Sequence, residues 1–188
     1  MKLFLICILL ATHVKAQWNF NKLLPDYGNI QYAGSIGMIS SGIGYSFFNS
    51  HLGAELTAGF TPVKRNSDLY NLTLKLNYRP FSIRISESIS TTMIYTGAYA
   101  SRTFGENYWL YLPDRYKNGY YYWSPGLRFG LLVGTSLIYR FDDAAISSAE
   151  FYFESSTYDL LIVSYWPNRN EIPLHDIVKF AIGMRIGF

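Results

Sequence analysis

The stretch VKFAIGMRIGF (178–188) divides strictly by parity. Val178, Phe180, Ile182, Met184, Ile186 and Phe188 fall on one face, and Lys179, Ala181, Gly183, Arg185 and Gly187 on the other. A repeat of two is the repeat of an extended strand, whose successive side chains point to opposite faces. One face is apolar; the other is small or cationic.

Working outward, the same division recurs at Tyr70, Leu72, Leu74, Leu76 and Tyr78 against Asn71, Thr73, Lys75, Asn77 and Arg79. It recurs again at Leu127, Phe129, Leu131, Val133, Thr135, Leu137 and Tyr139 against Arg128, Gly130, Leu132, Gly134, Ser136, Ile138 and Arg140. A soluble β-sandwich alternates too, so length has to discriminate. These segments exceed the five or six residues of a common globular strand and match the length a membrane strand needs. Tyr70 and Tyr78 are spaced like two interfacial aromatic rows. The eight steps between them span roughly 27 Å at about 3.4 Å per residue. Glycine on the polar faces suits a narrow, crowded interior better than a water-facing surface.

Composition agrees. Seventeen Tyr, thirteen Phe, four Trp and fifteen Gly in 188 residues favour sheet and turn over a helical bundle. The chain is 49% hydrophobic and 15% charged, with a mean hydropathy of +0.06, too low for a bundle of membrane helices. At the N-terminus, Lys2, the apolar run Leu3 to Ala11 and the small residues flanking Lys15 read as a cleaved secretory leader over 1–16. Its apolar run is too short to span a bilayer. The only cysteine, Cys7, lies inside that leader. Removing Lys2 and Lys15 leaves 14 basic against 13 acidic residues, so basicity gives no reason to expect a nucleic-acid partner. An exported chain with no cysteine after its leader fits a bacterial envelope better than a disulfide-bearing secreted domain.

The expected strands are 30–38, 42–48, 51–61, 69–79, 92–104, 126–141, 148–166 and 176–188. The expected fold is an all-β, eight-stranded antiparallel transmembrane β-barrel over 30–188, preceded by a short periplasmic segment, 17–29. An even count places both ends on one side and puts Thr61–Asp68, Gly105–Pro125 and Pro167–His175 on the other. Asn49-Ser50, Pro80–Thr91 and Asp142–Ser147 are then the short turns of the terminal side. Two readings stay open: 30–48 as one long strand, and 81–88 as an additional one. In strand seven, Phe151 and Phe153 fall on the opposite face from Leu160 and Ile162, so a β-bulge is expected near Ser155–Tyr158. No helix beyond the leader reads convincingly, apart from a short turn carrying Trp18, Phe20, Leu23 and Leu24.

The exported start, the alternating segments and the aromatic Phe188 resemble small outer-membrane β-barrel proteins of Gram-negative bacteria. The tracts YAGSIGMISSGIGYSFF (32–48), LTLKLNYRPFSI (72–83) and LPDRYKNGYYY (112–122) look like a Bacteroidota-type outer membrane β-barrel family. The resemblance implies location in the outer membrane among its lipid and lipopolysaccharide. It also implies that the periplasmic β-barrel assembly machinery reads Phe188 and the strand behind it. It supplies no catalytic residues and no cofactor.

The polar faces place Glu55, Lys75, Arg128, Glu150, Glu154, Lys179 and Arg185 in the lumen. Inside a narrow barrel such charges must pair or stay hydrated, so the expected lumen is closed and salt-bridged, too narrow for a porin. A proton or small-ion path is the sharper reading of the same residues. His175 with Asp176, and Ser155 or Ser156 as nucleophile, would make a lipid-A-modifying hydrolase or transferase if three segments converged. No local signature supports that, no metal-ligand spacing is present, and a non-enzymatic monomer is expected. Tyr108, Trp109, Tyr111, Tyr116, Tyr120, Tyr121, Tyr122 and Trp123 crowd the longest loop. They fit either surface contact or completion of the outer aromatic belt. A soluble periplasmic lipid carrier is a third reading, and it would turn the apolar rows inward.

Overall fold

A sheet with one apolar and one polar face can pack on a second layer or curl onto itself. This chain curls. The computed structural model describes residues 24–63, 67–110, 124–142 and 145–188. Among them run β1 (Tyr27–Ala33), β2 (Ile39–Phe47), β3 (Leu52–Thr61), β4 (Leu69–Tyr78), β5 (Ile83–Arg84), β6 (Ile89–Phe104), β7 (Leu127–Arg140), β8 (Ser148–Tyr158) and β9 (Lys179–Gly187). Two short helices, α1 (Asp159–Tyr165) and α2 (Leu174–Ile177), join β8 to β9. Every neighbouring pair is antiparallel, β1 pairs with β9, and β4 pairs with β6, so the ring closes and leaves no long free edge.

The barrel has eight staves. β5 continues β4, because Tyr78↔Thr96, Ile83↔Thr91 and Arg84↔Ser90 keep one register. Pro80, which has no N–H to give to the ladder, interrupts the stave without changing its path. The stretch 81–88 therefore adds no stave, and the connection once assigned to Pro80–Thr91 shrinks to the turn after Arg84. The leader 1–16 lies outside the described residues. β1 begins at Tyr27, so residues 27–29 belong to the barrel.

Residues 30–48 form two strands, not one. Between them Gly34 and Gly37 take φ of +89° and +140°, and Ala33 sits at +63°. That backbone folds the turn back into the barrel mouth and drives Ile36 inward to 3% exposure. A side chain at Gly59 would strike the Ile36 carbonyl. This end, the loop end, also carries 62–63, 67–68, 105–110, 124–126 and 159–178. The start of β1, the end of β9, the turns at 48–51 and 85–88, and residues 141–142 and 145–147 occupy the opposite, terminal end.

The bulge occurs, but in β6. Its pairing with β7 shifts between Thr92 and Tyr95, so Met93 and Ile94 together oppose Thr135 and both face outward. Below it Ser90 and Thr92 face inward; above it Tyr95, Tyr99 and Ser101 do. β8 is regular against both neighbours. The apparent phase change of strand seven has another cause: the strand ends at Tyr158 and Leu160 and Ile162 lie on α1, where a repeat of 3.6 replaces a repeat of two.

Direction of the side chains is unambiguous. Leu74, Leu131 and Ile182 on the outer rows are 49%, 59% and 58% exposed, whereas the inward Glu55, Lys75 and Arg185 are 0%, 1% and 2% exposed. Apolar rows outside and polar rows inside are the inverse of a lipid carrier. No described helix is long and apolar enough to cross a membrane, which leaves open crossing by strands.

Candidate functional site

The interior is built from alternate residues of all eight staves, and charge concentrates at its middle. Arg185 on β9 holds three carboxylates. Its Nε donates to Glu55 Oε1 at 2.8 Å, one terminal nitrogen to Glu150 Oε1 at 2.9 Å and the other to Glu154 Oε1 at 3.2 Å. Lys75 on β4 donates to Glu154 Oε2 at 2.7 Å and to Gln31 Oε1 at 3.1 Å, and lies 3.8 Å from Glu55 Oε2. Arg79 donates to the second oxygen of Glu150 at 3.3 Å. Asn29 and Asn77 donate to the two oxygens of Glu55 at 2.7 and 2.8 Å.

Three carboxylates therefore meet three cations, and the cluster is neutral. That balance is what makes burial possible, since one unmatched ion in this setting would be costly. A planar guanidinium spreads five donors over three nitrogens, so Arg185 can reach three separated acids; an ammonium offers its three donors from a single point.

Tyrosines wall the cluster. Tyr27 and Tyr95 donate to Glu55 and Glu154 at 3.2 and 2.9 Å, and Tyr152 donates to Gln31 Oε1 at 3.2 Å. The Arg185 guanidinium carbon sits 4.0 Å from the centre of the Tyr152 ring and 5.6 Å from that of Tyr95, within cation–π range. Each of these rings lies over a glycine directly opposite it on the neighbouring strand. The pairs are Tyr27↔Gly44, Tyr95↔Gly134, Tyr99↔Gly130 and Tyr152↔Gly183. A Cβ at any of the four glycines would run into its tyrosine. The interior glycines thus serve close approach: they let four rings lie flat along a wall too narrow to hold them upright.

Above the charges the filling turns apolar. Ile36, Tyr95, Tyr99, Leu132 and Tyr152 pack as one buried group with Tyr158 against it. Ser35 and Ser156 hydroxyls meet at 2.9 Å, and Asn71 donates to the Ile36 carbonyl at 3.1 Å, so the inturned β1–β2 turn is bonded in place.

Of the charged residues read from sequence, Glu55, Lys75, Glu150, Glu154 and Arg185 come together. Arg128 and Lys179 do not, although both fall on inward rows. Each stands at the loop-end rim: Arg128 donates to the Ser124 and Leu127 carbonyls and lies 3.8 Å from Asp159, and exposed Lys179 donates to the Asp176 carbonyl. Parity gives a face but not a height along the strand. Arg79, Gln31, Asn29, Asn77, Tyr27, Tyr95 and Tyr152 were missed as partners. Their inward parity was readable, but their convergence depends on register across the closed ring.

His175 and Asp176 lie 3.4 Å apart on α2, exposed at 77% and 58% of their side chains. Ser155 pairs with Phe180 on the outer face. Ser156 faces inward, bonded to Ser35 and to the Lys179 carbonyl. Among the described residues, no hydrogen bond joins either serine to His175. Tyr108 and Trp109 form the stem of the longest loop: the Trp109 carbonyl accepts from Gly126 N and Ser124 Oγ, and that of Tyr108 accepts from Arg102. Tyr111, Tyr116, Tyr120, Tyr121, Tyr122 and Trp123 lie outside the described residues. Phe188, 62% exposed, continues the outer apolar row of β9.

The fold and its filling define the class: a closed eight-stave antiparallel β-barrel whose interior holds a neutral network of buried charges. No family model matches this chain, and no curated protein or solved structure does either.

Proposed function

We propose that this chain is an integral outer-membrane β-barrel protein, exported by a cleaved leader, with a structural or surface-contact role and a lumen that carries no solute through. The observation that carries the reading is the chemistry of the outer wall. Its large side chains are apolar and about half exposed, an area no soluble monomer leaves to water. Three hydroxyls on the outer rows are turned back onto the backbone: Ser41 to the Asn29 carbonyl at 3.0 Å, Thr91 to Ser136 at 2.9 Å and Thr135 to Thr92 at 3.0 Å. Hydrocarbon demands that economy, because it offers no partner of its own.

Aromatic contacts frame the wall at both ends. Phe60 and Tyr70 meet at 5.5 Å near the loop end, and Tyr139 and Phe141 at 4.9 Å near the terminal end. Such rows suit the two bilayer interfaces, with lipopolysaccharide and lipid as the surrounding partners. Closure of the ring supports a monomer, and the exposure of Phe188 on the outer row supports its recognition by the assembly machinery. The closed lumen follows from the buried ion network and the Ile36 plug above it.

The test is gel migration of the detergent-refolded chain with and without boiling, alongside circular dichroism. A boiling-dependent shift with a β-rich spectrum is expected. An unshifted band from a chain that stays soluble in plain buffer would overturn the membrane reading.

A further inference from the structure

The two ends of the barrel interior differ. The loop end is closed by Ile36 and its apolar neighbours, whereas the terminal end opens into a polar cavity of about 760 Å³ that descends to Glu150 and Arg185. Arg79, Arg140, Arg185, His51, Asp26, Glu150 and Tyr27 are its charged or titratable side chains.

The acids in it are occupied. Glu150 has one oxygen on Arg185 and the other on Arg79, and Asp26 Oδ2 accepts from Ser46 N at 2.6 Å. The cations differ from the acids in keeping donors to spare. Arg79, 7% exposed, gives one nitrogen to Glu150 and leaves Nε without an acceptor among the described residues. Arg140 holds only the neutral Ser90 hydroxyl, at 2.5 Å, and forms no ion pair among the described residues. His51 shares a 2.8 Å bond with the Arg79 carbonyl through Nδ1. A carbonyl can only accept, so Nδ1 carries the proton, and Nε2 can donate to an anion only when the ring is doubly protonated.

We propose that this terminal-end cavity binds a small oxyanion, a carboxylate or a phosphate, with Arg140 and Arg79 as its anchors and His51 beside them. Guanidinium groups recognise the paired oxygens of both anions. The plug and the ion network confine the anion to the terminal side, so the site receives solute from that side without passing it on. The inference rests on the cavity alone and does not require a surrounding bilayer.

The test uses the full chain in detergent micelles, titrated separately with sodium succinate and inorganic phosphate, with chloride at matched ionic strength as the control. Nuclear magnetic resonance follows His51 and the amides around it. A saturable shift with succinate, phosphate or both is expected, and the active probe assigns the class. Arg140→Gln, at an exposed position compatible with folding, should weaken the affinity roughly tenfold through loss of a charge-assisted contact. Arg169→Gln, at the loop end, should leave it unchanged. Shifts no larger than with chloride, or shifts that survive Arg140→Gln in a well-dispersed spectrum, would overturn the proposal.

Discussion

Arg185→Leu is expected to lower stability by about 3–5 kcal/mol, the usual cost of removing one partner from a buried ion network. The substitution leaves Glu55, Glu150 and Glu154 facing only Lys75 and Arg79, so one carboxylate is stranded behind side chains that exclude water. It also takes the cation from the face of Tyr152. The measurement is the urea midpoint of the folded, heat-modifiable band for refolded wild type and variant. Arg185→Lys should recover little, because an ammonium has neither the reach nor the fork to serve three acids. Adding Glu150→Gln to Arg185→Leu should recover part of the loss by restoring neutrality. A wild-type midpoint for Arg185→Leu, or a further full loss on adding Glu150→Gln, would show that the network does not carry the interior.

How much of this was readable beforehand follows from what periodicity encodes. The repeat of two in 178–188, 70–78 and 127–140 assigns every residue to a face without any neighbour, and the apolar rows do lie outside. Stave number also survived, because Asn49 and Pro80 sit where the chain turns or pauses, although the first turn falls at 34–38, inside the expected strand 30–38. Periodicity fails at the ends of elements. Leu160 and Ile162 read as strand because the four consecutive apolar residues 160–163, Leu-Leu-Ile-Val, have the composition of a buried strand. The bulge at Met93 and Ile94 escaped notice because two adjacent apolar residues are unremarkable until the partner strand is known. The charged centre lay between these cases. Parity put Arg79 on the inner face with the other five, but it stood next to a proline that looked like the end of a strand and was not counted among the lumen charges. The height that excludes Arg128 and Lys179 comes only from register.

Register is also the source of the second large effect, expected at Gly183. Val at this position should destabilise the barrel strongly although it raises strand propensity, because the new Cβ falls on the ring of Tyr152 directly opposite. The ring has nowhere to go: Arg185 lies against one face at 4.0 Å, its hydroxyl is held by Gln31, and the Ile30 carbonyl stands 2.7 Å from the new atom on the other side. Overpacking in a well-filled interior typically costs about 1–3 kcal/mol. Removal of a Gly entropy penalty returns only about 0.5–1 kcal/mol. The net loss should appear as a lower urea midpoint and a smaller refolded fraction. Tyr152→Ala alone should also destabilise, by opening a void beside Arg185. Joined to Gly183→Val, it makes room for the valine, so the double variant should lose less than the two single losses together. Contacting residues couple in this way, whereas distant ones add. Strict additivity would mean that Tyr152 and Gly183 do not meet in the folded chain, and with them would fall the β8–β9 register on which the position of Arg185 among its carboxylates depends.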